Sequence, residues 1–229
     1  MIKEQNMNLP TRNPMNHNHK LYYDSWYRGF PLWPQHAPYI EENLSRLYDT
    51  MERALKEHKR TLAVRFDLKV PVAGIPLHPV PPMERLFKAV NRKIRAKYKK
   101  ELKLKPYVHQ CTVRYAQKTE QRVESPYEHY HVVLFVNNDV FRQVGHMGPD
   151  DDSELTKIIR SSWFSIANVS ENTTECLIHG STPSFRRLKG PFNSTNPDMI
   201  DAFRHFSYLC KEDSTLYRRG RPAFTTSRK

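Results

Sequence analysis

Glu128-His129-Tyr130-His131-Val132-Val133-Leu134-Phe135-Val136 reads as a β-strand with two histidines in its first turn. Residues two apart in a strand point to the same face. His129 and His131 can therefore converge on one ion, while Tyr130, Val132, Leu134 and Val136 face a core. With eleven histidines in 229 residues, chance alone supplies roughly half a His-x-His per chain. A second copy, His17-Asn18-His19, lies in a polar segment, where it means little. The strand context, and a tyrosine motif further on, single out the first copy.

The rest of the composition limits what such a strand can serve. The chain has room for one ordinary domain with extensions, and its mean hydropathy of −0.76 predicts a modest core with polar arms. A net charge of +13 and a pI near 9.7 point to a polyanionic partner, most simply nucleic acid. Cys111, Cys176 and Cys210 form no Cys-x-x-Cys, so neither a zinc site nor a disulfide framework is expected, and a reducing cytoplasm fits. No apolar run approaches the roughly 18 residues of a membrane span, and no signal peptide core is visible at the N-terminus. A soluble, cytoplasmic protein without a membrane partner is expected.

Three segments are expected: an arm at 1–38, a domain at 39–213 and a basic tail at 214–229. The arm carries Tyr22, Tyr23, Trp26, Tyr27, Phe30 and Trp33, rings that either dock on the domain or stack on bases. Ile40, Leu44, Leu47, Met51 and Leu55 recur at helical spacing from Tyr39 to about Lys59. Residues 61–70 alternate as a strand, with Val64, Phe66 and Leu68 on one face and Arg65, Asp67 and Lys69 on the other. Five prolines and a glycine make 71–82 a loop. Met83 to about Leu104 is a helix with Leu86, Phe87, Val90 and Ile94 inside and a cationic remainder.

Tyr107–Tyr115 reads as a strand, joined by a charged loop to the His-Tyr-His strand. A helix over 153–168 buries Leu155, Ile158, Ile159, Trp163 and Ile166. Residues 175–179 form a short strand, a polar loop follows, and Asn196 and Pro197 open a last helix to about Asp213. Leaving out the first helix, the order is β-α-β-β-α-β-α. This predicts an α+β, ferredoxin-like (split βαβ) antiparallel sheet with helices on one face and a C-terminal tyrosine helix free to cross the open face. The first and third strands are central neighbours in that arrangement, which brings Asp67 beside His129 and His131.

The last helix contains Ser207-Tyr208-Leu209-Cys210-Lys211, with Tyr208 and Lys211 three apart on one face. A tyrosine hydroxyl facing a bound divalent cation can attack a phosphodiester and remain attached as a phosphotyrosine. A lysine one turn on favours the phenolate. The other Tyr-x-x-Lys, Tyr115 to Lys118, falls in a strand, where its two ends point to opposite faces. Two imidazoles leave a cation under-coordinated. Asp67 is the first candidate for a third ligand, and Glu120 or Glu124 in the hairpin loop could swing in. Magnesium or manganese suits a mixed imidazole and carboxylate site, whereas zinc prefers cysteines or a third imidazole. The plain alternatives are a core tyrosine beside Phe203 and Phe206, solvent-facing strand histidines, and an Asp67 paired to Arg65 or Lys69.

Four pieces in this order resemble the inovirus gene-II-like family, also called the YagK/YfjJ C-terminal domain family, of filamentous phages and prophages. They are Arg65-Phe66-Asp67-Leu68, His129-Tyr130-His131 with its strand to Asn137, Ser207 to Lys211, and Phe224-Thr225-Thr226-Ser227-Arg228. The similarity covers about residues 40–228 and implies a replication initiator related to the HUH nucleases, which cut single-stranded DNA. It implies His129 and His131 as metal ligands, Tyr208 as nucleophile and Lys211 as its helper. Two positions depart from the pattern: Ala116-Gln117 stands where a carboxylate is usual, and Thr225 where glycine is frequent.

The function expected is site-specific nicking and joining of single-stranded or hairpin DNA through a 5′-phosphotyrosine. Such a reaction starts rolling-circle replication of a phage or prophage element. Arg65, Lys69, Arg92, Lys93, Lys97 and Arg114 are the expected DNA contacts. No Gly-x-x-x-x-Gly-Lys-Ser/Thr occurs, so unwinding and synthesis fall to a host helicase and polymerase. The alternative is a non-catalytic DNA-binding or regulatory protein on the same fold.

Overall fold

The computed structural model describes residues 9–121, 127–145, 147, 150, 153–170, 172–173, 175–218 and 220–227. Glu124 and Arg228 lie outside the described residues. Helix α1, Glu41–Glu57, buries Leu44, Leu47, Met51, Ala54 and Leu55, the stripe its spacing predicts. Strand β1 is Arg60–Lys69. Helix α2, Pro82–Leu102, starts on Pro82, whose fixed φ suits a first turn, with Glu84 beside the free amides. Strands β2, Arg114–Glu120, and β3, His129–Asn137, come next. Helix α3, Glu154–Ala167, closes on Asn168 in the left-handed region at φ 55°. Strand β4 is Ile178–Lys189. Helix α4, Pro197–Phe206, is capped as expected, Asn196 accepting from the Asp198 amide at 2.9 Å. A 3-10 turn, Ser207–Cys210, and strand β5, Phe224–Thr226, complete the chain.

The fold is mixed α+β, with four helices around a five-stranded sheet of order β5-β2-β3-β1-β4. Every pairing in that sheet is antiparallel. Alternation along the strands builds two cores. Val64, Phe66, Leu68, Tyr130, Val132 and Leu134 pack under α2 and α3. Ala63, Val133, Phe135 and Ala116 pack under α1 and α4. The expectation of helices on one face is corrected to helices on both: α4 packs on the face expected for the C-terminal helix, and α1, left out of the expected sheet, joins it there.

The arm docks rather than standing apart: Tyr27, Phe30 and Leu32 are buried in the second core. Its turn at Arg28–Gly29 has positive φ at both residues, as a two-residue hairpin between Tyr27 and Phe30 requires. The tail contributes β5, which pairs with β2 at the sheet edge.

Three element boundaries differ from the expected ones. Strand β2 begins at Arg114, not Tyr107, and continues to Glu120 through residues that read as loop. Strand β4 runs to Lys189 through Pro183, which its place at the sheet edge permits. The last helix stops at Phe206. Lys211 is extended instead, with φ −57° and ψ 145°, and forms a bridge with Tyr39, so Tyr208 sits in the 3-10 turn.

Candidate metal centre

Strand register decides which side chains meet. Asp67 lies opposite His131, and Lys69 opposite His129, across the β1–β3 ladder. On the other side of β3, Lys118 lies opposite His131 and Glu120 opposite His129. Since Phe66 and Tyr130 point into the core under α2 and α3, the residues alternating with them point to the face under α1 and α4. The imidazole pair is thereby flanked by a carboxylate from each neighbouring strand.

His131 Nδ1 stands 2.6 Å from Asp67 Oδ1, and its Nε2 stands 3.1 Å from Glu120 Oε2. His129 Nε2 is 3.6 Å from Asp67 Oδ2, and the two imidazole centroids are 4.6 Å apart. Burial disfavours the charged forms of Asp67, Glu120 and His131, but their partners outweigh it. Asp67 is held below the usual carboxylate range by His129 and His131. Glu120 is held below it by His131 and Lys118. His131 is held above the ordinary imidazole value by Asp67 and Glu120.

Asp67, His129 and His131 each offer one ligand atom, and those atoms all lie within 4.8 Å of one another. His129 Nε2 is buried with no hydrogen-bond partner among the described residues. A buried ring nitrogen left unpaired beside a carboxylate is costly unless something binds it, and two imidazoles with a carboxylate suit a divalent cation. The three residues can hold a metal ion.

The Tyr208 ring meets His131 edge-on, with centroids 5.4 Å apart. His36 from the arm packs against it in the same way at 5.1 Å. The Arg65 guanidinium lies 4.7 Å from the centre of the ring. Lys211 Nζ donates to the Tyr208 hydroxyl at 2.9 Å, so the expected pair meets although no regular helix carries it. Burial works against the Lys211 ammonium. Tyr208, Glu120 and Asp213 overcome it and hold its pKa above the ordinary lysine value.

Lys118, fully buried, fixes this arrangement. Its Nζ donates to the Lys211 and Asp213 carbonyls, both at 2.8 Å, and lies 3.0 Å from Glu120 Oε1. Two hydrogen bonds to carbonyls and an ion pair with the carboxylate hold the buried ammonium. They tie the segment after Tyr208 to the strand beside the histidines.

The expected DNA contacts divide. Arg65 is buried, donates to the His205 carbonyl at 3.0 Å and belongs to the tyrosine's surroundings. Arg114 is buried and paired with Glu57, joining β2 to α1, which takes it out of reach of a polyanion. Lys97 is held by Glu101 and by Glu154 at 2.9 Å. Lys69 is exposed at the end of β1 on the histidine face. Arg92 and Lys93 stand on α2, across the sheet from the cluster.

Four residues of the site escaped the sequence reading or were placed elsewhere. The sequence pattern puts Glu120 in the hairpin loop and Lys118 in the second Tyr-x-x-Lys. Both belong to β2, and the alternation Ala116, Lys118, Glu120 onto one face was the available signal. His36 comes from the arm, and nothing in the sequence pointed to it. His179 faces Asp67 across the β1–β4 ladder and has its Nε2 buried without a hydrogen-bond partner. Gln117 and Thr225, which stand where the resemblance has other residues, oppose each other across β2 and β5, with Gln117 Nε2 donating to Thr225 Oγ1 at 2.9 Å.

No helix among the described residues is long and apolar enough to cross a membrane. No curated protein and no solved structure matches the chain. A family does match, from within the arm, through the Asp67, His129 and His131 cluster and the Tyr208 turn, to the last strand of the sheet: on residues 25–227 the chain belongs to the YagK/YfjJ C-terminal domain family.

Proposed function

We propose that this protein is a metal-dependent endonuclease and strand transferase. It would nick single-stranded or hairpin DNA through Tyr208 and start rolling-circle replication of a phage or prophage element. The observation that carries the reading is the meeting of Tyr208 with His131, at 5.4 Å between ring centroids, with Lys211 Nζ on the phenolic oxygen. A phenol beside a cluster of cation ligands has one well-founded use with a phosphodiester, which is in-line attack. The strand order β4-β1-β3-β2 is compatible with a split βαβ sheet, and this supports the reading of kinship with the HUH initiators.

In this reading the Tyr208 oxygen forms a bond to phosphorus and the bond to the 3′ oxygen breaks. The phenolic proton ends on that 3′ oxygen. A 5′-phosphotyrosine and a free 3′ hydroxyl result, the latter a primer for a host polymerase, with unwinding by a host helicase. The Lys211 ammonium stabilises the phenolate as the proton leaves, and Lys118 keeps the 211–213 backbone in place. Magnesium or manganese held by Asp67, His129 and His131 would supply positive charge for the phosphoryl oxygens.

Circular single-stranded DNA incubated with the protein and Mn²⁺ tests the reading. Linearised DNA carrying covalently bound protein is expected, with loss of the adduct in Tyr208→Phe and in His129→Ala but retained DNA binding in both. A wild-type protein that binds DNA on its own element's origin sequence and never forms an adduct would instead be a regulatory DNA-binding protein.

A further inference from the structure

The sheet face away from the cluster carries its own site. Between α2 and α3 runs a groove of about 410 Å³. One wall is cationic. Arg85, Lys88, Arg92 and Lys93 lie along a single flank of α2, spaced by three, four and one residues. The facing wall is made of hydroxyls, Ser161 and Ser165 one turn apart on α3 with Ser162 beside them. Among the described residues, no carboxylate lines it.

The electrostatics of this wall are left incomplete within the protein. Arg85 Nη1 is buried with no hydrogen-bond partner among the described residues, although a buried guanidinium donor ordinarily finds an acceptor. Lys93 reaches across the groove to Ser161 Oγ at 2.5 Å, which fixes the two walls at a set separation. Arg92 is exposed and also lines a second groove, on the other side of α2, with Arg95 and Lys99. Lys88 pairs with Glu84 at 2.6 Å, and the Ser161 and Ser162 hydroxyls donate to the Lys157 and Ile158 carbonyls, so the donors left for phosphate oxygens are the Arg85 and Arg92 guanidiniums, above a wall without a carboxylate.

Two kinds of nucleic acid could supply those oxygens. Surfaces for single strands interleave cations with aromatic rings on which bases stack. Apart from His78, the lining of the α2–α3 groove has no ring, whereas α2 itself, at 21 residues, offers a rod of roughly 30 Å. We infer that the α2–α3 groove docks the sugar–phosphate backbone of duplex DNA, on the opposite face of the sheet from Asp67, His129 and His131. The inference goes beyond the nicking reaction and stands without it. Duplex would be held on one face while the cluster on the other face remains open to a single strand.

The test is binding without chemistry. A generic 20-base-pair duplex and a single strand of equal length are titrated by fluorescence anisotropy in EDTA between 50 and 200 mM salt. Arg85→Ala, Arg92→Glu and, as a charge control on α1, Lys56→Ala are compared with the unchanged protein. Arg92 is exposed, so its replacement leaves the fold intact and keeps the test valid where Arg85→Ala does not fold. The expected result is at least a tenfold loss of duplex affinity in Arg92→Glu, a salt slope shallower by about one for each cation removed, and no change in Lys56→Ala. Unchanged duplex affinity and slope in Arg92→Glu, equal loss in Lys56→Ala, or a loss confined to the single strand would each overturn the inference. Since no cleavage occurs in EDTA, absence of a Tyr208 adduct in the nicking assay leaves this result standing.

Discussion

His131 touches Asp67 and Glu120 at once, and the cluster's behaviour follows from that single ring. Removing Asp67 takes away one of the three ligand atoms and one support of the ring. Asp67→Ala is expected to weaken Mn²⁺ binding at least tenfold in calorimetry, while Tyr208→Phe leaves that affinity unchanged. Lys118 is a separate case, because its ammonium is fully buried against two carbonyls and the Glu120 carboxylate. Lys118→Met removes the side-chain donor to the Asp213 carbonyl, one of the donors to the Lys211 carbonyl and the nearest cation to Glu120 Oε1, and a loss of about 3 kcal/mol in urea unfolding is expected. The cysteines offer a simpler check. Burial pushes the Cys111 thiol up to about 11, although the Asn137 amide at its sulfur partly offsets this, and burial raises that of Cys210 further. Cys176 is exposed. One thiol should react rapidly with an aromatic disulfide reagent at pH 8, and Cys176→Ser should abolish that phase.

At the level of elements, the outer strands and the arm hold the site together. The hairpin turn at Gly29 has φ +82°, and a Cβ there would lie 2.6 Å from Ser194 Oγ. Gly29→Ala combines backbone strain with a clash, and a cost of about 1–3 kcal/mol is expected in thermal or urea unfolding. Its consequence should reach the site, because the part of the arm that follows this hairpin delivers Leu32 to the second core and His36 to the Tyr208 ring. The 3-10 turn after α4 shows how short elements can be controlled from elsewhere. Tyr208 and Lys211 remain in contact because Lys118, from another strand, holds the carbonyls of residues 211 and 213.

For the whole molecule, stability should respond to mild acid. Burial, then the Arg65 and Arg186 charges, depress His205 to about 3. Burial also lowers His19, His36 and His58. A histidine with a depressed folded pKa is neutral in the native state and protonated when unfolded, so its neutral state favours folding above its unfolded pKa of about 6.5, and that advantage falls away as pH drops below it. His131, raised in the fold, runs the other way. With four groups against one, the melting temperature should fall by about 2–5 °C between pH 7 and pH 5, and His205→Gln should flatten part of that fall.

The sequence by itself determined the elements with strong periodicity: α1, β1, α2, β3 and α3 carry apolar residues at helical or alternating spacing, and that spacing is a local property. It also gave the cation ligands their common face, since Asp67, His129 and His131 occupy alternating positions whose neighbours are apolar. Tertiary structure alone decided the rest. Arg114 to Glu120 is a strand because β3 and β5 pair with it on both sides, although Gln117, Lys118 and Glu120 have little strand preference of their own. The four-residue turn that carries Tyr208, the buried ammonium that holds it and the histidine that the arm lays against it are contacts between residues tens to more than a hundred positions apart. Their stability comes from burial and pairing in the assembled fold, and no local pattern encodes that.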